Sequence, residues 1–425
     1  MSGEGKINLG KNFIEGQGGL LNIGILGTDI YTIVFTLIFF FVSIYLIFIL
    51  SNKNVISLGR ALLIFSFHSV LSILFIVALL IFIVNDIDSY FQIGLFYPDD
   101  NYDLWGIDFE EPGYNFRHWG ILTMAQFFRI FSMYFHLDFL TINILFACVG
   151  SFCLIFLDKL IRENTGIEKS KKNIISYIFL LLVFFPSLSI WSGYLGKEVL
   201  TLAILLSIAY VIIKEKNFLF IISYIIPLTC LIGIIRPHFA FFIAFSTSIY
   251  LIFEFVKDSF IRNSILILAI FSIISVGNYL IGGALSLNIF TTIDLFLDAG
   301  EKMRKNFLHP DDYYLLEDDN IFILYFKFLF SPIFNFEKIR NIILSAENIC
   351  LIVFIFMMIK NIDFQKIKNN HESKYFLIFF LLSSFVMSMY SYQSGIYWRQ
   401  KWLLLPYLFI GLSLVQKNRR LNDQK

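Results

Sequence analysis

The sequence predicts an all-α integral membrane protein, a polytopic bundle of about eleven transmembrane helices. Of its 425 residues, 58% are hydrophobic and only 15% are charged, which is far more apolar than a soluble protein of this length. Apolar runs of roughly 17 to 25 residues, the length that a helix needs to cross the hydrocarbon core, recur along the chain. Positive charge gathers in every second connection between them, as it does in cytoplasmic loops.

The apolar runs are joined mostly by short connections. They lie near positions 29–51, 60–84, 140–158, 174–191, 197–213, 218–235, 237–256, 262–283, 344–360, 374–392 and 402–416. Two connections are long, about 85–138 and 284–343, and each has an aromatic stretch, 119–136 and 321–336, that is typical of an interfacial amphipathic helix. No repeat of fixed period and no separate soluble domain is visible, so residues 1–425 are predicted to form one integral membrane domain.

Positive charge predicts the orientation of the bundle in the membrane. The basic connections contain Lys53 and Arg60; Lys159, Arg162, Lys169, Lys171 and Lys172; Lys214 and Lys216; Lys257 and Arg262; Lys360, Lys366, Lys368 and Lys374; and Lys417, Arg419, Arg420 and Lys425. By the positive-inside rule these connections and the C-terminus face the cytoplasm. The other connections then face the periplasm or exterior. The polar, Gly-rich N-terminal stretch does not resemble a cleaved signal peptide.

Composition excludes several classes of function. The formal net charge is +1, which gives no reason to expect a nucleic-acid partner. All four cysteines lie inside apolar runs, where small buried hydrophobic residues are the expectation, and no metal-binding spacing is present. We therefore predict no metal and no cofactor.

One break between apolar runs is the most informative stretch of the chain. Between Phe185 and Glu198 a proline, a tryptophan and two glycines precede the adjacent pair Lys197-Glu198. An ionisable pair between two membrane-entering runs is costly unless it faces water, a partner or a substrate. The predicted orientation places this break on the outer face.

Four charged groups share that outer face, each at the end of a predicted span. They are Asp86 and Asp88, Lys197 and Glu198, Arg236 and His238, and Arg399 and Lys401. The last three groups lie in predicted short turns, which are the break that ends at Glu198 and the turns Arg236–His238 and Gly395–Lys401. We expect these residues to line a cavity at the outer rim of the bundle, open to a lipid-linked substrate from the leaflet.

The residue types fit transfer of a sugar from a polyprenyl phosphate or pyrophosphate. Fixed cations stabilise the charge that develops on the leaving group, and an acceptor hydroxyl needs a base within hydrogen-bond reach. Candidates for binding the pyrophosphate are Lys197, Arg236, Arg399 and Lys401; for catalysis as a base, Asp86, Asp88, Glu198 and His238; and for contacting sugar or lipid, Trp191, Tyr194, Tyr397 and Trp398.

Structural interpretations stay open for the same residues. Lys197 and Glu198 are also typical of a helix start with a snorkelling lysine. Arg236 before Pro237 suits an interfacial anchor, and solvated loop carboxylates commonly follow a span as Asp86 and Asp88 do. For His68 and Asp158, which lie in or at the end of spans, the structural interpretation is favoured.

The order of these motifs resembles a family of bacterial enzymes. An outer Asp-x-Asp-Ser-Tyr (86–90) is followed by Phe-Pro-Ser-x-x-x-Trp-Ser-x-x-x-x-Lys-Glu (185–198), Arg-Pro-His (236–238) and Tyr-Trp-Arg-Gln-Lys (397–401). This order is similar to that of polytopic O-antigen and capsular polysaccharide polymerases and the related membrane glycosyltransferases of glycosyltransferase C architecture. The resemblance covers most of the chain in topology and these short patches in sequence.

The resemblance implies a metal-independent transferase that uses undecaprenyl-linked sugars on the periplasmic face. Arg236 and Arg399 match arginines that engage the lipid pyrophosphate in such polymerases, and Asp86 or Asp88 matches the aspartate base of the transferases. We therefore expect polymerisation of undecaprenyl-pyrophosphate-linked repeat units in O-antigen (lipopolysaccharide) or capsule biosynthesis, with a chain-length regulator protein as a further partner. Addition of a single sugar from a polyprenyl-phosphate donor and flipping of a lipid-linked oligosaccharide are the alternatives.

Overall fold

The described part of the chain is almost entirely helical. The computed structural model describes residues 30–53, 55–82, 139–165, 181–193, 196–258, 260–264, 267, 321–333, 339–390 and 394–416, together with positions 124, 127, 130, 131 and 135. Within these residues the only β feature is an isolated bridge between Ile362 and Gln416. The predicted all-α class is confirmed for this part of the protein.

Helices in this part of the chain follow the predicted apolar runs closely. In chain order they are α1 (Ile30–Asn52), α2 (Leu58–Phe82), α3 (Phe139–Thr165), α4 (Pro186–Gly193), α5 (Lys197–Lys214), α6 (Phe218–Ile235), α7 (Pro237–Phe255), α8 (Ile321–Phe330), α9 (Ile339–Lys360), α10 (Phe364–Asn369), α11 (His371–Tyr390) and α12 (Ser394–Leu414). Residues 174–180 of the predicted run near 174–191 and most of the predicted run near 262–283 lie outside the described residues.

Six of the described helices are long and apolar enough to cross a membrane, and a bent pair raises the number to seven if it is one span. The bent pair is α4 and α5, whose axes differ by 102°. This supports a multi-pass membrane protein and places the predicted break at 185–198 at a sharp change of direction. The predicted total of eleven spans extends beyond the described residues.

Helix α12 lies at the centre of the bundle. It packs against α11 along most of its length and also contacts α3, α4, α5, α8 and α9. Trp402 and Tyr407 on this helix are fully buried, and the Tyr407 hydroxyl donates to the Leu205 carbonyl oxygen on α5 (2.8 Å). From Trp402 onward α12 is apolar on almost every side, and such a helix segment belongs in the interior. Helices α1 and α6, in contrast, leave most of their apolar surface exposed, as expected of helices that face lipid.

Charged residues that close one end of the bundle come from the predicted cytoplasmic connections, and we call this the basic end. The contacts are Arg60 with Asp158, Lys214 with Glu163 (2.9 Å), Lys216 with Glu372, His371 with Glu254 (3.1 Å), and Lys366 with the Gln416 carbonyl oxygen (2.8 Å). These contacts join the ends of α3, α5 and α7 to one another and to the starts of α2 and α11, and they join the end of α12 to α10. The connections that the charge pattern assigned to one side therefore do lie together.

The predicted turn at Gly395–Lys401 is wrong. These residues form the first two turns of α12, which begins at Ser394. Between Gly395 and Pro406 the sequence offers no helix breaker. The side chains of Trp398, Arg399 and Lys401 find partners on neighbouring segments, so their polar groups do not require a turn. The predicted break at Arg236 is confirmed, since α6 ends at Ile235 and α7 begins at Pro237.

Candidate functional site

Polar and aromatic residues from six segments meet at the end of the bundle opposite the basic end, which we call the site end. The segments are α4, the start of α5, the junction of α6 and α7, the residues after α8, the first half of α9, and the start of α12. Their contacts form two linked groups, one around Glu198 and Arg236 and one around Glu347 and Lys401.

Arg236 and Glu198 form a buried ion pair. Arg236 Nη2 donates a hydrogen bond to Glu198 Oε1. Only 8% of the Arg236 side chain and 4% of the Glu198 side chain are exposed. Pro237 has no N–H and suits the first position of α7, and Arg236 itself has a non-helical backbone (φ −148°, ψ 86°) between the two helices. The helix break therefore points the guanidinium into the bundle, where the first turn of α5 supplies the matching carboxylate.

Arg399 connects this pair to α4. Its guanidinium carbon lies 5.4 Å from the centre of the Trp191 ring, within the range of a cation–π contact. Glu198 interacts electrostatically with Arg236, Arg399 and Lys197. Both Trp191 and Arg399 are half-buried, so the stack presents a planar cation and a planar aromatic ring together at the site end.

Glu347 is the centre of the second group. Its Oε2 atom accepts from the Ser187 hydroxyl (2.7 Å) and the Ser187 backbone N–H (3.4 Å), which places a carboxylate at the start of α4, where helices favour negative charge. Lys401, fully buried on α12, interacts electrostatically with Glu347 and donates to Asn348 Oδ1. Among the described residues, Glu347 Oε1 is buried and has no hydrogen-bond partner.

Two backbone carbonyl groups tie the segment after α8 into this group. Asn348 Nδ2 donates to the Pro332 carbonyl oxygen (3.0 Å), and Trp398 Nε1 donates to the Ser331 carbonyl oxygen (3.1 Å). Buried carbonyl groups outside regular structure need such partners. The result is a hydrogen-bonded frame that joins α8, α9 and α12.

Helix α4 sits unusually close to α2 and α3, and glycine makes this possible. A Cβ atom on Gly150 would lie 2.7 Å from the Ser192 carbonyl carbon, and one on Gly193 would lie 2.8 Å from Ser72 Cβ. Neither position tolerates a side chain without movement. His68, completely buried on α2, lies beside both glycines, and this packing fixes α4 and its Ser187 and Trp191 side chains.

The structure brings together most of the predicted site residues that it describes. Lys197, Glu198, Arg236, Arg399, Lys401, Trp191 and Trp398 all lie at the site end. His238 follows Arg236 but is exposed, with its ring 5.0 Å from that of Phe239. Asp86, Asp88 and Tyr194 lie outside the described residues, as does the side chain of Tyr397.

Sequence analysis missed Glu347, Asn348 and Ser187 as parts of the site. Glu347 and Asn348 lie inside the predicted apolar run 344–360. The signal was present, because an ionisable residue within a membrane span is costly and commonly marks a functional position. Asp158 is structural as expected: Arg60 donates to it through both Nε (2.7 Å) and Nη2.

The described residues contain no group of three or more His, Cys, Asp or Glu side chains that would hold a metal ion. Comparison with protein-family models, curated proteins and solved structures finds no match for this chain. What the fold and the site define is a class, a multi-pass helical membrane protein with a buried charged cluster at one end.

Proposed function

We propose that this protein is a membrane glycosyltransferase that polymerises undecaprenyl-pyrophosphate-linked oligosaccharide repeat units on the outer face of the bacterial inner membrane. The observation that carries the proposal is the convergence of four cations, Lys197, Arg236, Arg399 and Lys401, at one end of a membrane-type helical bundle. Cations buried in a membrane-type bundle are costly. Glu198 and Glu347 balance two of the four charges, and an anionic lipid-linked substrate would supply further negative charge.

The site fits the chemistry of this transfer. When the bond from sugar to pyrophosphate breaks, negative charge grows on the leaving oxygen, and preorganised cations stabilise it. Arginine grips phosphate oxygens in pairs through its planar fork, and Arg399 is held in place by its stack on Trp191. The same indole ring offers a face on which a sugar ring packs.

The two ends of the bundle support the proposed orientation. The lysine- and arginine-rich connections meet at the basic end, as cytoplasmic connections do. The site end would then face the periplasm. There it meets repeat units that have already crossed the membrane.

Replacing Arg399 tests the proposal. In a strain that lacks this gene, a plasmid copy carrying Arg399→Gln should give surface glycan of single repeat units, because the leaving-group charge loses its main stabilising cation. The control is Arg162→Gln, which removes an arginine at the basic end and should give normal chain lengths. Normal chain length with Arg399→Gln in a protein present at wild-type amounts would refute the proposal.

A flippase for lipid-linked oligosaccharides is the second candidate, and the bent pair α4 and α5 favours it, since transporters often use broken helices. The deletion strain separates the functions. A flippase predicts repeat units held on the cytoplasmic leaflet, whereas a polymerase predicts single units on the outer leaflet. Loss of one branch sugar with normal chain length would instead indicate a transferase that adds a single sugar.

A further inference from the structure

We propose that Glu347 is the catalytic base that takes the proton from the acceptor sugar hydroxyl. The inference rests on the proposed function and adds a residue to its site. It starts from an unexplained feature: Glu347 is only 5% exposed, and its Oε1 atom has no partner among the described residues. A buried carboxylate oxygen without a hydrogen bond costs free energy, and a substrate hydroxyl would satisfy it.

Among the described residues, the other carboxylate at the site end is already engaged. Glu198 Oε1 accepts from Arg236 in a buried ion pair, so removing either partner leaves an uncompensated charge. Glu347 differs, because Ser187 fixes only Oε2. The nearby charge of Lys401 offsets part of the cost of burying the carboxylate, and no described residue donates a hydrogen bond to the second oxygen.

Helix α4 sets the spacing between this base and the cation at the leaving group. Ser187 bonds Glu347, and Trp191, four residues later, stacks under Arg399. Residues four apart lie on the same face of a helix, separated by about 6 Å along its axis at ~1.5 Å per residue. Glu347 and Arg399 therefore contact α4 on the same face, about one helical turn apart.

The step balances without any further reactant. The acceptor O–H bond breaks and its proton moves to Glu347 Oε1, while the acceptor oxygen forms a bond to the anomeric carbon of the donor sugar. The bond from that carbon to the pyrophosphate breaks, and its electron pair leaves with the pyrophosphate beside Arg399. The protonated Glu347 then releases its proton to water as the product leaves.

The experiment uses the purified full-length protein in lipid vesicles, with lipid-linked repeat units extracted from the deletion strain. Glu347→Gln keeps the shape of the side chain and an oxygen that accepts from Ser187, but it removes the base. Turnover should therefore fall about 100-fold or more, with little change in KM. Glu163→Gln, a carboxylate change at the basic end, should leave turnover unchanged. Turnover within threefold of wild type in folded Glu347→Gln would overturn the inference.

Chemical rescue separates catalysis from structure. In Glu347→Ala, added formate should occupy the vacated space and raise turnover at least tenfold, with no effect on the wild-type protein. A folded but inactive Glu347→Ala that formate does not rescue would assign Glu347 a structural role and overturn the inference.

If Glu347→Gln and Glu347→Ala do not accumulate in the membrane, a third variant that keeps the negative charge tests the inference. Glu347→Asp retains the charge beside Lys401 but withdraws the oxygen, and should lower turnover at least tenfold; wild-type turnover would contradict the inference. Failure of the wild-type protein to lengthen chains would refute the proposed function itself, whereas active Glu347 variants would refute the base alone.

Discussion

At the scale of single residues, two glycines decide how close α4 approaches the rest of the bundle. Gly150 faces the carbonyl of Ser192, and Gly193 faces Ser72. The approach positions Ser187 and Trp191, the two residues through which α4 contacts Glu347 and Arg399. Close backbone packing through small residues is typical of helix pairs in membranes.

Gly150→Ala should destabilise the protein, because the new methyl group overlaps the Ser192 carbonyl and α4 must move. Overpacking of this kind costs roughly 1–3 kcal/mol. The matched control is Gly59→Ala, where no atom lies within 4 Å of the added carbon and where alanine favours the helix. Thermal unfolding in detergent should show a lower Tm for Gly150→Ala and an unchanged or higher Tm for Gly59→Ala; equal values would contradict the packing.

Single residues also show the limit of sequence reasoning. Pro237 and the Lys197-Glu198 pair interrupt apolar runs, so the break at Arg236 and the break before α5 were both predictable. The bond from Ser187 to Glu347 was not, because it joins residues 160 positions apart and depends on how α4 and α9 pack. Local pattern carries no information about such a contact.

At the scale of elements, the ion pair between Arg236 and Glu198 ties the junction of α6 and α7 to the start of α5. Its near-complete burial distinguishes it from the pairs at the basic end. A buried pair adds little net stability, but losing one partner is costly. The pair therefore fixes the arrangement of three helices.

A double-mutant cycle tests this arrangement. Arg236→Met alone should destabilise the protein by about 3–5 kcal/mol, because Glu198 is left buried and unpaired, and Arg236→Met with Glu198→Gln should cost less. The half-exposed pair Lys214 and Glu163 (2.9 Å) is the control, with a coupling of about 1 kcal/mol or below. Additive effects at Arg236 and Glu198 would show that the two side chains do not interact.

At the scale of the whole molecule, the helices have two chemically different ends. The basic end contains paired lysines, arginines and glutamates close to the surface, whereas the site end contains buried charges between aromatic rings. Hydropathy and charge pattern were enough to predict the end of the bundle at which Arg399 and Lys401 lie. They did not predict that both residues belong to α12, because the helical start of α12 resembles a polar turn until its partners on α4 and α9 are known.

Labelling with a membrane-impermeant thiol reagent tests the orientation. A cysteine replacing exposed Lys216 at the basic end should react only after the cells are permeabilised, because the positive-inside rule places it in the cytoplasm. A cysteine replacing exposed His238 should react in intact cells. Labelling of the wild-type protein measures the background reaction of its own cysteines, Cys148, Cys153, Cys230 and Cys350. All four lie within apolar helices. The reverse labelling pattern would place the site end in the cytoplasm.

Reconstitution of the wild-type protein tests the central claim most directly. Purified protein in lipid vesicles receives only undecaprenyl-pyrophosphate-linked repeat units, without nucleotide sugars, metal ions or other proteins, and the products are separated by size. A polymerase predicts a ladder of products that differ by one repeat unit, with free undecaprenyl pyrophosphate released in proportion to the bonds formed. Repeat units that stay single, in vesicles whose protein is folded, would contradict the account.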